Sequence, residues 1–351
     1  MDIMKHTELF NVLTNQKEMR TLLIVFGTRP EWLKVKPIIS LMKRDEYKIL
    51  FTGQHPDLLK DVEVDYRIEI GESQNRLDQI ISDCMMQFPK GNFNSVLVQG
   101  DTASAFACAL AAFNRQLKIF YLEAGLRSYN MEHPYPEEAY RQMIARIADV
   151  NLTPTSLSKA NLIEEKVSGE CYEVGNTVLD NLLEYKDKCE YGNKVLVTLH
   201  RRENLHWMDK WFVELEKLAN ENPQLEFILP MHPNPNVQKH KHLLSKVSVV
   251  EPLSHSELLD VLVKCKLVIS DSGGLQEEGS FFNKKVIVCR TTTERPEGKY
   301  TGHLYICPTP EDLPNWFGSL KENYYISNIC PYGDGKSSQR VVDIIRKQNN
   351  E

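Results

Sequence analysis

Leu22-Leu23-Ile24-Val25-Phe26-Gly27-Thr28-Arg29-Pro30-Glu31-Trp32-Leu33-Lys34 runs from an apolar segment through a glycine turn into a helical pattern. An uninterrupted apolar run this short reads as a strand buried on both faces, as in a parallel sheet covered by helices. The unit repeats outward from there. Strands are predicted at 48–52, 66–70, 95–98, 118–122 and 150–154, with helices at 32–43, 76–87, 102–114, 137–148 and 155–166. A second series follows the polar stretch 184–193, with strands at 195–199, 226–230, 247–251, 267–270 and 285–289. An amphipathic helix over 336–347 comes last. Two alternating β/α series predict two doubly wound α/β domains joined near residue 188.

The bulk composition agrees. At 351 residues the chain is long enough for two domains, and 42% hydrophobic with 26% charged residues is a globular balance. A formal charge of −6 supplies no broad field for nucleic acid or a membrane surface, so neither is an expected partner. No apolar run is long enough to span a bilayer, and residues 1–20 lack the apolar core of a signal peptide. The eight cysteines show no CxxC pair and read as small buried hydrophobes. Together these predict a soluble, cytoplasmic protein.

In doubly wound sheets ligands gather at the carboxyl ends of strands. After the first strand, the Gly27–Lys34 stretch offers backbone amides at a helix N-terminus, with Arg29 and Lys34 adding positive charge. It is neither GxGxxG nor a Walker A loop, so no dinucleotide site is predicted. Later strands end in Gln99-Gly100-Asp101-Thr102 and in Glu123-Ala124-Gly125-Leu126-Arg127, followed by Pro134-Tyr135-Pro136-Glu137-Glu138 and Arg141. Singly, Asp101 reads as a helix cap, and Glu137 with Glu138 as acids favoured by a helix dipole. As a set, carboxylates after neighbouring strands suit proton transfer at carbon, which needs one acid ionised and another protonated.

In the second half, His200 follows a strand within Leu199-His200-Arg201-Arg202-Glu203-Asn204, and His232 lies in a proline-rich turn. Either could be purely structural. Ser270-Asp271-Ser272-Gly273-Gly274-Leu275-Gln276-Glu277-Glu278 is more telling, because a hydroxyl and bare amides at a helix N-terminus build a diphosphate site. Glu278, one turn on, is spaced to accept hydrogen bonds from a ribose diol. Arg290, Glu294 and Arg295 could form surface ion pairs, yet they fall on the same rim.

This ordered set resembles the non-hydrolysing UDP-N-acetylglucosamine 2-epimerase family over roughly residues 21–346. The resemblance implies a GT-B architecture with an interdomain active-site cleft. Residues 1–20 would be an extension, 21–187 the domain with most acid/base groups, 188–335 the UDP-binding domain, and 336–351 a helix crossing back. It implies C2 epimerisation of UDP-N-acetylglucosamine to UDP-N-acetylmannosamine by elimination of UDP and re-addition to 2-acetamidoglucal, without a cofactor or metal. Asp101, Glu123 and Glu137 resemble the acid/base carboxylates and His200 the catalytic-site histidine, with Lys34 and Arg141 as supporting cations. By the same resemblance Arg29, His232, Ser272, Gly273, Gly274, Glu278 and Arg295 would bind UDP, and the protein would be a homodimer.

Bacterial relatives are similar to one another in binding a second UDP-sugar as activator near a Gln-His segment and an Arg-Gln pair. Here the stretch after Gln54-His55 is short and Ser73-Gln74-Asn75 has no arginine, so weak or absent activation is expected. Alternatives within reach of the same residues are an epimerase for a 6-deoxy UDP-sugar, a hydrolysing epimerase and a GT-B glycosyltransferase. An inactive UDP-sugar sensor is the alternative from outside enzymes.

Overall fold

The computed structural model describes residues 21–55, 62–322, 326 and 329–350; the expected extension 1–20 lies outside the described residues. Its first sheet comprises β1 (Leu22–Phe26), β2 (Tyr47–Phe51), β3 (Tyr66–Arg67), β4 (Ser95–Gln99), β5 (Lys118–Leu122), β6 (Val150–Thr153) and β7 (Glu170–Glu173). The second comprises β8 (Lys194–Thr198), β9 (Glu226–Pro230), β10 (Ser248–Val250), β11 (Cys265–Ser270), β12 (Lys285–Val288) and β13 (Leu304–Ile306). The spatial orders are β3-β2-β1-β4-β5-β6-β7 and β10-β9-β8-β11-β12-β13, and every strand pair is parallel. Two doubly wound sheets side by side are the GT-B architecture. Among the described residues, no helix is long and apolar enough to cross a membrane.

Both sheets are covered on both faces, which explains the continuous apolar strands. Along β1, Leu23 and Val25 pack on one face while Leu22, Ile24 and Phe26 pack on the other, following the two-residue period of a strand. In the second sheet, Val195 and Val197 of β8 face Trp211 and Phe212, and Leu196 faces the opposite side with Leu262 and Phe281.

The last helix, Ser337–Asn350, packs Val341, Val342 and Ile345 onto the β1 face of the first sheet. Arg346 pairs there with Glu46 at 2.8 Å, and Lys118 donates to the Gln348 carbonyl at 2.9 Å. Between the sheets, 3₁₀ turns run through Thr177–Lys188, where the sequence suggested only a polar link from residue 184. Buried Val178, Leu179 and Leu182 anchor that run in the second core. Strands β7 and β13 were not anticipated. Edge strand β7 reads Glu-Cys-Tyr-Glu and is partly exposed, so it carries no apolar signature.

The strand order reverses between β1 and β4 in one sheet and between β8 and β11 in the other. Crevices outside the carboxyl ends at such points are where ligands bind in open α/β sheets.

Candidate active site

At the first switch point, β1 delivers Gly27 and Thr28 into the helix Arg29–Ser40. Thr28 caps the helix, and buried Glu31 reaches back to the amides of Gly27 (2.5 Å) and Thr28 (2.8 Å). The second oxygen of Glu31 accepts the Thr102 hydroxyl at 2.6 Å, tying the β1 turn to the β4 turn. Burial raises the Glu31 carboxyl above its ordinary range against the pull of these hydrogen bonds. A side chain at Gly27 would meet the Thr52 hydroxyl at 2.1 Å, so the turn requires glycine.

Glu123 stands directly after β5 with φ +67, a left-handed conformation that costs a non-glycine residue about 1–2 kcal/mol. Its surroundings hold it there. Lys34, one turn into the first helix, brings Nζ to 2.6 and 2.5 Å from the two carboxylate oxygens. Gln99 at the end of β4 donates to Oε2 at 2.5 Å, Asn176 donates to Oε1 at 3.4 Å, and the Arg295 guanidinium lies 3.7 Å away. Burial pushes the Glu123 carboxyl up, but the charges of Lys34 and Arg295 outweigh it and hold the group ionised, below the usual carboxylate range.

Asp101, partly exposed after β4, pairs with Arg141 at 2.6 Å. Arg141 is buried and also reaches Glu138 at 3.2 Å. Glu138 in turn accepts the amides of Ser128 (2.9 Å) and Tyr129 (3.2 Å), fixing the loop after Glu123. Of the two adjacent acids, Glu138 is therefore spent on structure. Glu137 keeps Oε2 buried with no hydrogen-bond partner, a group poised for something outside the chain.

At the second switch point, fully buried Asp271 accepts the amides of His200 (2.9 Å) and Arg201 (2.8 Å) and the Asn204 side chain (2.9 Å). This anchors the turn after β8 and sets His200 against the His232 ring, stacked at 5.0 Å between centroids and 8° between planes. Burial lowers the His200 pKa, with the Asp271 charge opposing, so the imidazole is neutral at pH 7. A cleft of about 280 Å³ opens here, lined by His200, His232, His255, Ser272, Gly274 and Glu278. The helix Gly273–Phe281 starts at its wall with no side-chain cap on its first amides. Free amides and a hydroxyl at a positive dipole end can hold a diphosphate. Glu278 accepts from the His255 ring at 3.0 Å inside the same cleft.

The chain matches the profile of the family described as UDP-N-acetylglucosamine 2-epimerase over residues 40–346. It is 34% identical to the UDP-N-acetylglucosamine 2-epimerase of Campylobacter jejuni, over 95% of this chain and 99% of that one. The chain belongs to the UDP-N-acetylglucosamine 2-epimerase family. To the enzyme of the same name from Bacillus subtilis it is 35% identical, over 91% of this chain and 93% of that one. The crystal structure of the Neisseria meningitidis UDP-GlcNAc 2-epimerase bound to UDP-GlcNAc superposes with a TM-score of 0.81. It is 30% identical, and the match covers 93% of this chain and 100% of that one.

For this family member, the expected site residues divide into two groups. Lys34 pairs with Glu123 and Arg141 with Asp101 beyond adjacent strands of the first sheet, and His200, His232, Ser272, Gly274 and Glu278 line one cleft. Arg295 does not line that cleft: it is buried, contacting Glu277, Glu294 and Glu123. Gly273 packs behind the cleft wall, where an added Cβ would come within 3.0 Å of the Arg295 guanidinium. Arg29 is exposed at the first helical turn, with no ion-pair partner among the described residues.

Gln99, Asn176, Glu277, Asp271 and His255 were not singled out from the sequence. Gln99, Asp271 and Glu277 sit inside the quoted stretches Gln99–Thr102 and Ser270–Glu278. Their roles depend on which way a helix start is turned, and spacing leaves that undetermined.

Proposed function

We propose that the protein interconverts UDP-N-acetylglucosamine and UDP-N-acetylmannosamine by the non-hydrolysing route. A carboxylate takes the C2 proton as the C1–O bond breaks, and UDP departs with the bonding electrons, leaving 2-acetamidoglucal. The diphosphate oxygen then re-forms the bond to C1, and C2 accepts a proton on the opposite face from a second acid. The C2 proton is only weakly acidic, so its removal has to be coupled to departure of UDP.

The observation that carries this reading is Arg295, which lies against Gly273 of the amide turn and 3.7 Å from Glu123. One guanidinium thus spans from the anion-binding turn to the strand-end carboxylate. Positive charge there acts on the transition state, where negative charge builds on the departing diphosphate. In this reading Glu123, Asp101 and Glu137 exchange protons, Lys34 and Arg141 orient the acids, and His200 faces the diphosphate as a neutral donor. Arg29, His232, Ser272, Gly273, Gly274 and Glu278 hold the nucleotide. The two parts of the site lie on different sheets, so catalysis is expected to need closure of the cleft.

A homodimer and a cytoplasmic setting complete the proposal. Met86, Phe113 and Met143 expose apolar side chains on three neighbouring helices of the first sheet, a surface suited to a second copy. Buried free thiols such as Cys84 and Cys108 fit a reducing compartment.

Proton NMR of UDP-N-acetylglucosamine incubated with the protein in D2O tests the reaction. UDP-N-acetylmannosamine with deuterium at C2 of both epimers is expected. Free N-acetylmannosamine would instead establish hydrolysis, and no exchange at all would overturn the proposal.

A further inference from the structure

Glu277 and Glu278 are adjacent on the helix Gly273–Phe281 and face different surroundings. Glu278 lines the nucleotide cleft, whereas Glu277 is 2% exposed and turns toward the first sheet. One Glu277 oxygen accepts Nε–H of Arg295, and the other accepts Nδ2–H of Asn176 at 2.6 Å. The same Asn176 nitrogen reaches Glu123 at 3.4 Å, and the same Arg295 guanidinium approaches Glu123 at 3.7 Å. Both donors to Glu277 therefore also reach Glu123, across the boundary between the two sheets.

The donor pattern leaves no freedom at this position. Asn176 cannot turn its oxygen toward Glu277, because that oxygen accepts the Val178 amide at 3.1 Å. Arg295 offers only donors. Two donors thus converge on Glu277 from opposite sides, and only a carboxylate presents an acceptor to each. An amide of the same shape would set its NH2 against one of them in either orientation.

We infer that Glu277 is a positioning residue that aims Arg295 at Glu123 and, through Asn176, ties the helix carrying the Ser272–Gly274 turn to that acid. The inference rests on the proposed epimerase reaction. It adds a buried carboxylate, on the nucleotide-binding side, that sets the geometry of proton transfer without touching the sugar. Nη1 of Arg295 is held by Glu294 and Nη2 faces Glu123, so losing Glu277 frees Nε and lets the plane rotate away from Glu123.

The test compares the full-length parent, Glu277→Gln and Glu277→Asp for kcat and KM with UDP-N-acetylglucosamine, affinity for UDP, and thermal transition. For Glu277→Gln, kcat is expected to fall by about a hundredfold, the effect of a small misplacement of a catalytic group, with UDP affinity unchanged and a cooperative thermal transition whose midpoint is lowered by the buried NH2 left without an acceptor. Glu277→Asp, which keeps two acceptors, is expected to retain more of kcat than Glu277→Gln. Parental kcat in Glu277→Gln, equal losses in kcat and UDP affinity, or an Asp variant no faster than the Gln variant would each overturn the role. If Glu277→Gln lacks a cooperative transition, Glu277→Asp alone decides: reduced kcat at unchanged UDP affinity supports the role, and parental kcat overturns it. A parent without exchange at C2 would sink the epimerase reading first, and this role with it.

Discussion

Lys34 on the first helix grips both carboxylate oxygens of Glu123 at the end of β5, at 2.6 and 2.5 Å, across 89 residues of chain. The pair sits where β1 and β4 diverge, the crevice that a doubly wound sheet leaves for ligands. It holds a buried acid ionised and a non-glycine residue at positive φ. Strain of that kind persists only where the surrounding contacts over-determine it.

Removing the charge of Glu123 should therefore be felt in the chemistry. Glu123→Gln is expected to lower the rate of C2 deuterium exchange by about a thousandfold while UDP affinity stays within a factor of about two. Exchange followed by NMR, with UDP binding measured by calorimetry, separates the two effects. Exchange at the parental rate would take Glu123 out of the reaction.

Ser272 and Glu278 belong to the cleft, so their loss should act on binding. Ser272→Ala removes a hydroxyl at an uncapped helix N-terminus, and a lost hydrogen bond to a charged phosphate is worth about 1.5–3 kcal/mol. UDP affinity should drop by about tenfold or more. Glu278→Ala should weaken UDP similarly and also free His255 from its 3.0 Å contact. An effect limited to kcat, with UDP binding intact, would contradict both assignments.

Asn75 bears on activation by substrate. Its side chain caps the helix Arg76–Met86, accepting from the Leu77 amide at 3.1 Å and the Asp78 amide at 3.4 Å. Ser73-Gln74-Asn75 holds no arginine, and the adjoining Arg76 donates back to the Gly71 carbonyl at 3.0 Å. Initial rates plotted against UDP-N-acetylglucosamine are expected to be hyperbolic, and a sigmoidal curve would show activation that this segment does not predict.

The final helix responds to acid through Glu46. Its ion pair with Arg346 holds the Glu46 carboxyl down at about 2, below the ordinary 4.5. A depressed carboxylate contributes stability that is present above 4.5 and is lost as pH falls toward 2. Both groups are partly exposed, so the contribution is small, about 0.5 kcal/mol. The thermal midpoint of Glu46→Gln should lie slightly below the parent at pH 7 and converge with it as pH falls toward 2. A constant gap across that range would exclude the pair as the cause.

The structure bears out the two-series α/β reading where strands are central. β1, β5, β8 and β11 are apolar because helices cover both faces, and the residues after them inherit a place in the crevice. Edge strand β7 carries no apolar run because an edge need not be continuously apolar, and β13, Leu304–Ile306, is only three residues long. The 3₁₀ run Thr177–Lys188 reads as a polar link at its end, although Val178, Leu179 and Leu182 fix its start in the second core. Within the site, spacing favoured Glu137 and Glu138 alike. Only the fold separates them, giving Glu138 to Arg141 and the 128–129 amides and leaving one Glu137 oxygen unpaired.

What the sequence determined by itself is local: apolar runs of strand length, glycine turns where backbones must approach, and carboxylates and histidines placed just after strands. These follow from periodicity and from the conformations that glycine alone adopts cheaply. Tertiary structure decided the partners. Lys34 and Glu123, Asp101 and Arg141, and Arg295 with Glu123 are far apart in the chain or on different sheets, and their charges acquire meaning only at a few ångströms in a buried setting. There desolvation and close opposite charge compete over each proton, and distance settles the outcome.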